Sequence, residues 1–329
     1  MQTNKEALLA LFRGEKADFI PALGRCLKDV VFPGERYIEL GDKFDPHGTG
    51  PDAWGVMWTN QGPSPAIDGS TVAKDFKLFD NMDEWRDHIK FPPIDFMPLE
   101  NIFQAMCKGM GVDKENHVVG CLLLSGQFER MNQLIGMENA LCAFYEYPDE
   151  VHEFFDAICE YKLKCIDLAY KYLKPDVIHM HDDWGTNDNM FFSPELWREF
   201  IKPNEIRYAN RIHELGMLYN HHSCGYIQQI FPDLVEIGID CINPVNVSND
   251  IEYLMDNFSD RITIVGGCDN QRIEHPDATD DDVRNEVRNC IDKYAKRGRY
   301  IPHYIPTNAR VYGVFMDELE GYGKTAFQD

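Results

Sequence analysis

The segment NHHSCG, residues 220 to 225, sets two histidines and a cysteine directly before a glycine. On an extended strand side chains alternate between faces, so His222 and Cys224 share one face and His221 takes the other. Neutral imidazole and thiolate are ligand types that suit Zn²⁺, which in a catalytic site takes three protein ligands and keeps one position open. The competing reading is a buried cysteine beside a hydrogen-bonded histidine. His221, on the opposite face, is expected to be structural.

Three further polar clusters stand where strands should end: HMHDDWGT (179 to 186), GGCDNQ (266 to 271) and YIPHYIP (300 to 306). In the first, His179, His181 and Asp183 share one face, and Met180 and Asp182 the other. Asp182 and Asp183 are both catalytic candidates: one of them would orient substrate or metal-bound water, or donate a proton. Otherwise the pair caps a helix N-terminus. His181 is expected on the substrate side of the site, with a further metal ligand as its second role. Asp269, after two glycines that let backbone approach a ligand, is a third catalytic candidate. Gln127 and Glu129 in SGQFER are further, weaker candidates, with Gln127 expected on the substrate side. Trp54 and Trp58 could wall the pocket or simply pack a loop.

These clusters need a scaffold that gathers strand ends. After an irregular first hundred residues rich in Gly, Pro and Asp, strands and helices alternate. Strands are expected in HVVGCLLLSG, DVIHMHDD, MLYNHHSC, DCINPV, RITIVGGC and RYIPHYIP. Helices are expected over FERMNQLIGMENALCAFYEY, PDEVHEFFDAICEYKLKCIDLAYKYL, SPELWREFIKP (Ser193 as N-cap, Pro194 first), NEIRYANRIHEL and the later intervals. A short amphipathic helix ending at Gly14 opens the chain, followed by a strand. Repeated βα units imply a parallel sheet covered by helices, and seven or eight of them favour a closed (β/α)₈ barrel, whose chemistry gathers at the C-terminal ends of the strands. One domain over residues 1 to 329 is expected, with residues 1 to 100 as an N-terminal elaboration containing one or two short strands. No phosphate or dinucleotide loop is present.

Bulk properties narrow the partners. A formal charge of -23 over 329 residues argues against nucleic acid or an anionic membrane. The 44% hydrophobic and 26% charged content is globular. No run approaches the roughly 18 apolar residues of a membrane span, and the N-terminus lacks a secretory pattern. The ten cysteines show no disulfide spacing, so a reduced, cytoplasmic setting is expected. Cys159 and Cys165 fall in a helix pattern as packing residues.

The text HHSCGYIQQIFPDLVEIGIDCINPVN resembles the uroporphyrinogen decarboxylase superfamily, and within it the corrinoid-linked methyltransferases, where H-x-C-G, a helix and E-I-G-x-D-x-x-N-P recur. DDWGTNDNMFFSPELWREFIKP, FERMNQLIGMENALCAFYEYPDEV and GGCDNQ fit the same resemblance, which covers roughly residues 117 to 310. It implies a (β/α)₈ barrel with the reaction at its C-terminal mouth. In the methyltransferase branch it implies Zn²⁺ on the His and Cys of H-x-C, here His222 and Cys224, plus a later cysteine. At that later place this chain has His303, as the decarboxylase branch also does; Cys268 and Cys241 are the fallback ligands.

The decarboxylase branch carries an Arg-rich N-terminal stretch for a poly-carboxylated porphyrin. Here ALGRCLKDVVFPGERY offers only Arg25 in a comparable place, so the methyltransferase branch ranks first. The resemblance implies a zinc enzyme that moves a methyl group between a small molecule, with a methoxylated aromatic favoured over a thiol, and the cobalt of a corrinoid on a separate protein. No D-x-H-x-x-G cobalamin loop appears in this chain. A decarboxylase of a small carboxylated substrate is the alternative, and a non-catalytic metal-binding or corrinoid-docking protein the second.

Overall fold

The computed structural model describes residues 1–34, 49–60 and 70–327. Seven strands form one parallel sheet: β1 (Leu27–Val31), β2 (Val118–Leu123), β3 (Val177–His181), β4 (Leu218–His222), β5 (Cys241–Val245), β6 (Thr263–Gly267) and β7 (Tyr300–His303). Each pairs with the next in chain order. Helices cover the outside, and all six residues of β2 are buried. A sheet covered on both faces needs continuous apolar runs such as VVGCLL rather than alternation.

The sheet is curled. His179 on β3 lies close enough to His303 on β7 to help lower the pKa of His303, although three strands separate them in the sheet. The last helix, Ala309–Tyr322, crosses from β7 back to the start of the chain. There Arg25, just before β1, pairs with Asp317 and Glu320, and Gly24 packs against Tyr312. The architecture is α/β and TIM-barrel-like, with seven sheet strands among the described residues where eight βα units were the upper expectation.

The strand read after Gly14 is not found. Residues 15–22 carry no strand, and β1 begins at Leu27. FIPAL reads as extended by apolar content, yet its side chains are buried without strand pairing, and the Ile20 N–H donates to the Gly323 carbonyl near the C-terminus. The helix expected over residues 128 to 147 is two helices, α1 (Gln127–Ile135) and a second over Met137–Glu146, broken where Gly136 takes φ 80°. Ser193 and Pro194 stand as N-cap and first helical residue. Part of the N-terminal loop region lies outside the described residues. Its described part holds a small antiparallel sheet of Gly50–Pro51, Met57–Asn60 and Ser70–Val72.

Candidate metal centre

The ends of β2, β3 and β4 build the site. The 179/181/183 face of β3 turns inward: the His181 ring stacks on His222 at 4.1 Å with planes 11° apart. Among the described residues, His181, Asp183 and His222 each offer a ligand atom within 4.8 Å of the others. Cys224 stands beside this group without being part of it, its Sγ 3.4 Å from Nε2 of His222. That nitrogen is also 3.7 Å from Oδ1 of Asp183, and Asp183 accepts the Cys224 N–H at 2.6 Å.

The loop that delivers Cys224 needs its glycine. Gly225 has φ 82°, and a Cβ there would stand 2.4 Å from the Gly185 carbonyl carbon. The loops after β3 and β4 therefore touch backbone to backbone, which only glycine permits. Behind the ligands, Glu129 of α1 sits 2.7 Å from Nδ1 of His181, leaving the other ring nitrogen toward the cluster.

Protonation fits a cation. Burial holds the His222 pKa well below the usual histidine value, and the neighbouring His181 and His179 push the same way, so the imidazole is neutral with a lone pair to give. Burial also raises the Cys224 thiol, with Asp183 and Glu129 adding to it; a nearby cation is what would draw out the thiolate. Burial raises Asp183 too, against the opposing charge of His181. Neutral imidazole and carboxylate, with a thiol at their edge, form a donor set that suits Zn²⁺.

The remaining sequence-derived candidates fall elsewhere. Asp182, 1% exposed, faces outward and accepts from the backbone N–H groups of Phe128 and Glu129 and from the Trp184 indole. It caps the N-terminus of α1 from a neighbouring strand, which is the helix-capping alternative for the pair; of the two, only Asp183 joins the ligand cluster. Asp269 caps the one-turn helix Asn270–Ile273 through the Arg272 N–H. Gln127 is buried and accepts from Asn204 in the helical layer. Trp54 packs edge-on against Phe91 and Tyr161, beneath Arg130, with Arg130 paired to Asp52 at 3.3 Å.

His303 is not in the group of mutually close ligand atoms; Asp183 and His181 are. Burial lowers its pKa to about 4. Cys268 turns its sulfur toward Cys290, 3.7 Å away in the helical layer. Cys241 opens β5, at the end of the barrel opposite the mouth. His221 lies on the outer face as expected, stacked on Trp184 and bonded to Tyr219, which donates to Glu205.

The sequence reading passed over Asp29 and Asn220, and gave His179 no role. Asp29 Oδ2 is 3.0 Å from Nδ1 of His179. With β1 expected too early in the chain, no face could be counted for Asp29. Asn220 shares its strand face with His222 by simple alternation, a signal that was there to read.

The chain matches the uroporphyrinogen decarboxylase (URO-D) family over residues 111–305, and it belongs to that family. A methyltransferase from Methanosarcina mazei shares the fold, with a TM-score of 0.66 at 14% identity over 98% of this chain and 99% of that one. Curated protein sequences give no match. No helix among the described residues is long and apolar enough to cross a membrane.

Proposed function

We propose that this chain is a zinc-dependent methyltransferase that moves a methyl group between a small substrate, a methoxylated aromatic above all, and the cobalt of a corrinoid on a separate protein. The observation that carries the reading is the convergence of His181, Asp183 and His222 at the barrel mouth, with the Cys224 sulfur beside His222. His222, Cys224 and Asp183 would hold Zn²⁺, with His181 as the fourth donor or as a contact to substrate. Bound there, the metal supplies Lewis-acid polarisation of the oxygen that carries the methyl group.

The protein's own groups do the rest. Glu129 fixes the His181 ring, so the stacked pair of imidazoles keeps its geometry without substrate. Pre-set donors lose little entropy on binding. Transfer to the corrinoid would take the methyl group as a cation onto the electron pair of Co(I), leaving the C–O bonding pair on oxygen as a phenolate that takes up a proton. The URO-D neighbourhood supports the enzyme reading, and the methyltransferase of like fold supports the reaction class.

Decarboxylation of a poly-carboxylated substrate fits less well. The groups acting most strongly on His222, Cys224 and Asp183 are histidines and carboxylates, whereas several substrate carboxylates call for arginine. The test is methyl transfer from methoxybenzenes to free cob(I)alamin, followed by absorbance, beside transfer from methylcobalamin to thiols. Transfer from the ether supports the proposal. Transfer to thiols alone reverses its direction, and CO₂ release with no methyl transfer returns the decarboxylase.

A further inference from the structure

One residue pair below the ligand cluster, the inner face of the sheet carries a second polar layer. Asp29 of β1 reaches across β2 to His179 of β3, 3.0 Å away. Gly120 of β2 is the register partner of Asp29, and a Cβ there would stand 1.8 Å from Asp29 Oδ1. The missing side chain is what lets the carboxylate cross. His179 is in turn the register partner of Asn220 on β4, as His181 is of His222 in the layer above.

These groups are incompletely used by the protein. Asp29 Oδ1, His179 Nε2, both amide atoms of Asn220, and His303 Nδ1 are buried with no hydrogen-bond partner among the described residues. Buried polar atoms are nearly always paired, with protein, water or ligand, because leaving one unmet is costly. Four of these atoms, on the hydrogen-bonded pair Asp29 and His179 and on the register neighbour Asn220, adjoin on the inner face beneath a candidate metal centre and mark a surface built to meet something polar.

Their chemistry selects what that is. With Asp29 holding the Nδ1–H of His179, Nε2 turns a lone pair to the interior. Asp29 Oδ1 is a second acceptor, beside a formal negative charge, and Asn220 Oδ1 a third. Asn220 Nδ2 is the one fixed donor among them. The ion-pair partner of Asp29 is His179, so no lysine or arginine offsets that charge among the described residues.

We propose that Asp29, His179 and Asn220 form an acceptor-rich floor that binds an O–H or N–H group of the substrate and disfavours a carboxylate. This rests on the methyl-transfer reading and adds the substrate's second functional group to it. His179 Nε2, Asn220 and Asp29 Oδ1 are the contacts to that group; Asp29 Oδ2 also orients His179, and Gly120 leaves the room for the Asp29 carboxylate.

The experiment is calorimetric binding of four probes to the zinc-loaded full chain: 3-methoxyphenol, 3-methoxyaniline, 1,3-dimethoxybenzene and 3-methoxybenzoate. The phenol, the aniline or both should bind about tenfold or more tightly than the dimethoxy compound, the scale of one hydrogen bond with an otherwise unmet partner, and the benzoate weakest. Which of the two binds better separates a hydroxyl from an amine ligand. Asp29→Asn and Gly120→Ala should each compress the preference while leaving zinc content unchanged. Equal affinity for all four, no binding by any, or a preference untouched in both variants overturns the proposal. Methyl transfer is read separately by absorbance, so a protein that transfers methyl groups but shows no donor preference sinks this inference alone.

Discussion

The sulfur of Cys224 lies 3.4 Å from Nε2 of His222, two residues away on the same side of the chain as it leaves β4. That proximity makes metal content the first prediction. Purified protein should carry about one zinc per chain, the ratio of a single catalytic site, and His222→Ala and Cys224→Ala should each lose most of it by elemental analysis. A well-folded wild type that takes up no zinc on reconstitution would leave the cluster as a pocket wall.

His181 does not hold its own orientation. Glu129 does that from α1, at 2.7 Å. Carboxylates behind ligating histidines typically account for about 10- to 100-fold in metal affinity. Glu129→Gln should therefore weaken zinc binding by that order in competition with a chromophoric chelator, while the melting temperature changes little. An unchanged affinity would place His181 outside the metal's coordination.

Asp182 makes the opposite kind of prediction. Its carboxylate receives two helix N-terminal N–H groups and the Trp184 indole, and substitution by alanine leaves all three donors without a partner in a buried site. Loss of a cap costs roughly 1–2 kcal/mol and an unmet buried donor about 1–3 kcal/mol. Asp182→Ala should thus destabilise by a few kcal/mol in urea denaturation. Zinc stoichiometry of the folded fraction should survive; its loss would give Asp182 a role in the centre itself.

The pair Asp182 and Asp183 shows how far the sequence could be read. Alternation on β3 separates the two carboxylates, but composition alone does not say which face is the inside, since Met180 and His179 are both compatible with a barrel interior. Contacts between strands decide it: His181 stacks on His222 of the next strand, and Asp182 meets a helix that begins over fifty residues earlier. The strands from β2 onward were legible from apolar runs such as VVGCLL and from their regular alternation with helical patterns, since LYNHH and YIPH carry little Val, Ile or Leu themselves. β1 was not, because LKDVV carries a lysine and an aspartate, and the aspartate is there for His179. Trp54 and Gln127 were hard to place from sequence for a related reason. Aromatic and amide side chains suit a pocket and a core equally, and Arg130 above the Trp54 ring is a long-range contact that no local pattern announces.

The last prediction concerns pH and lies away from the centre. His213, at the end of the helix Lys202–Glu214, has Nε2 2.8 Å from Asp240. That hydrogen bond raises the histidine pKa above its ordinary value of 6.5, outweighing partial burial. A pKa raised in the folded state means the protonated form is favoured by folding, so the stabilisation is fully present below pH 6.5 and fades as pH rises through the folded value. The side chain is 40% exposed, and solvent screening keeps such a pair below about 1 kcal/mol. His213→Asn should therefore lower stability slightly at pH 6 and hardly at all at pH 9, read from urea midpoints of both proteins across that range. Asp240 also accepts the Tyr219 N–H at 2.7 Å, a bond the variant keeps, so any loss that is equal at both pH values would point to packing rather than charge.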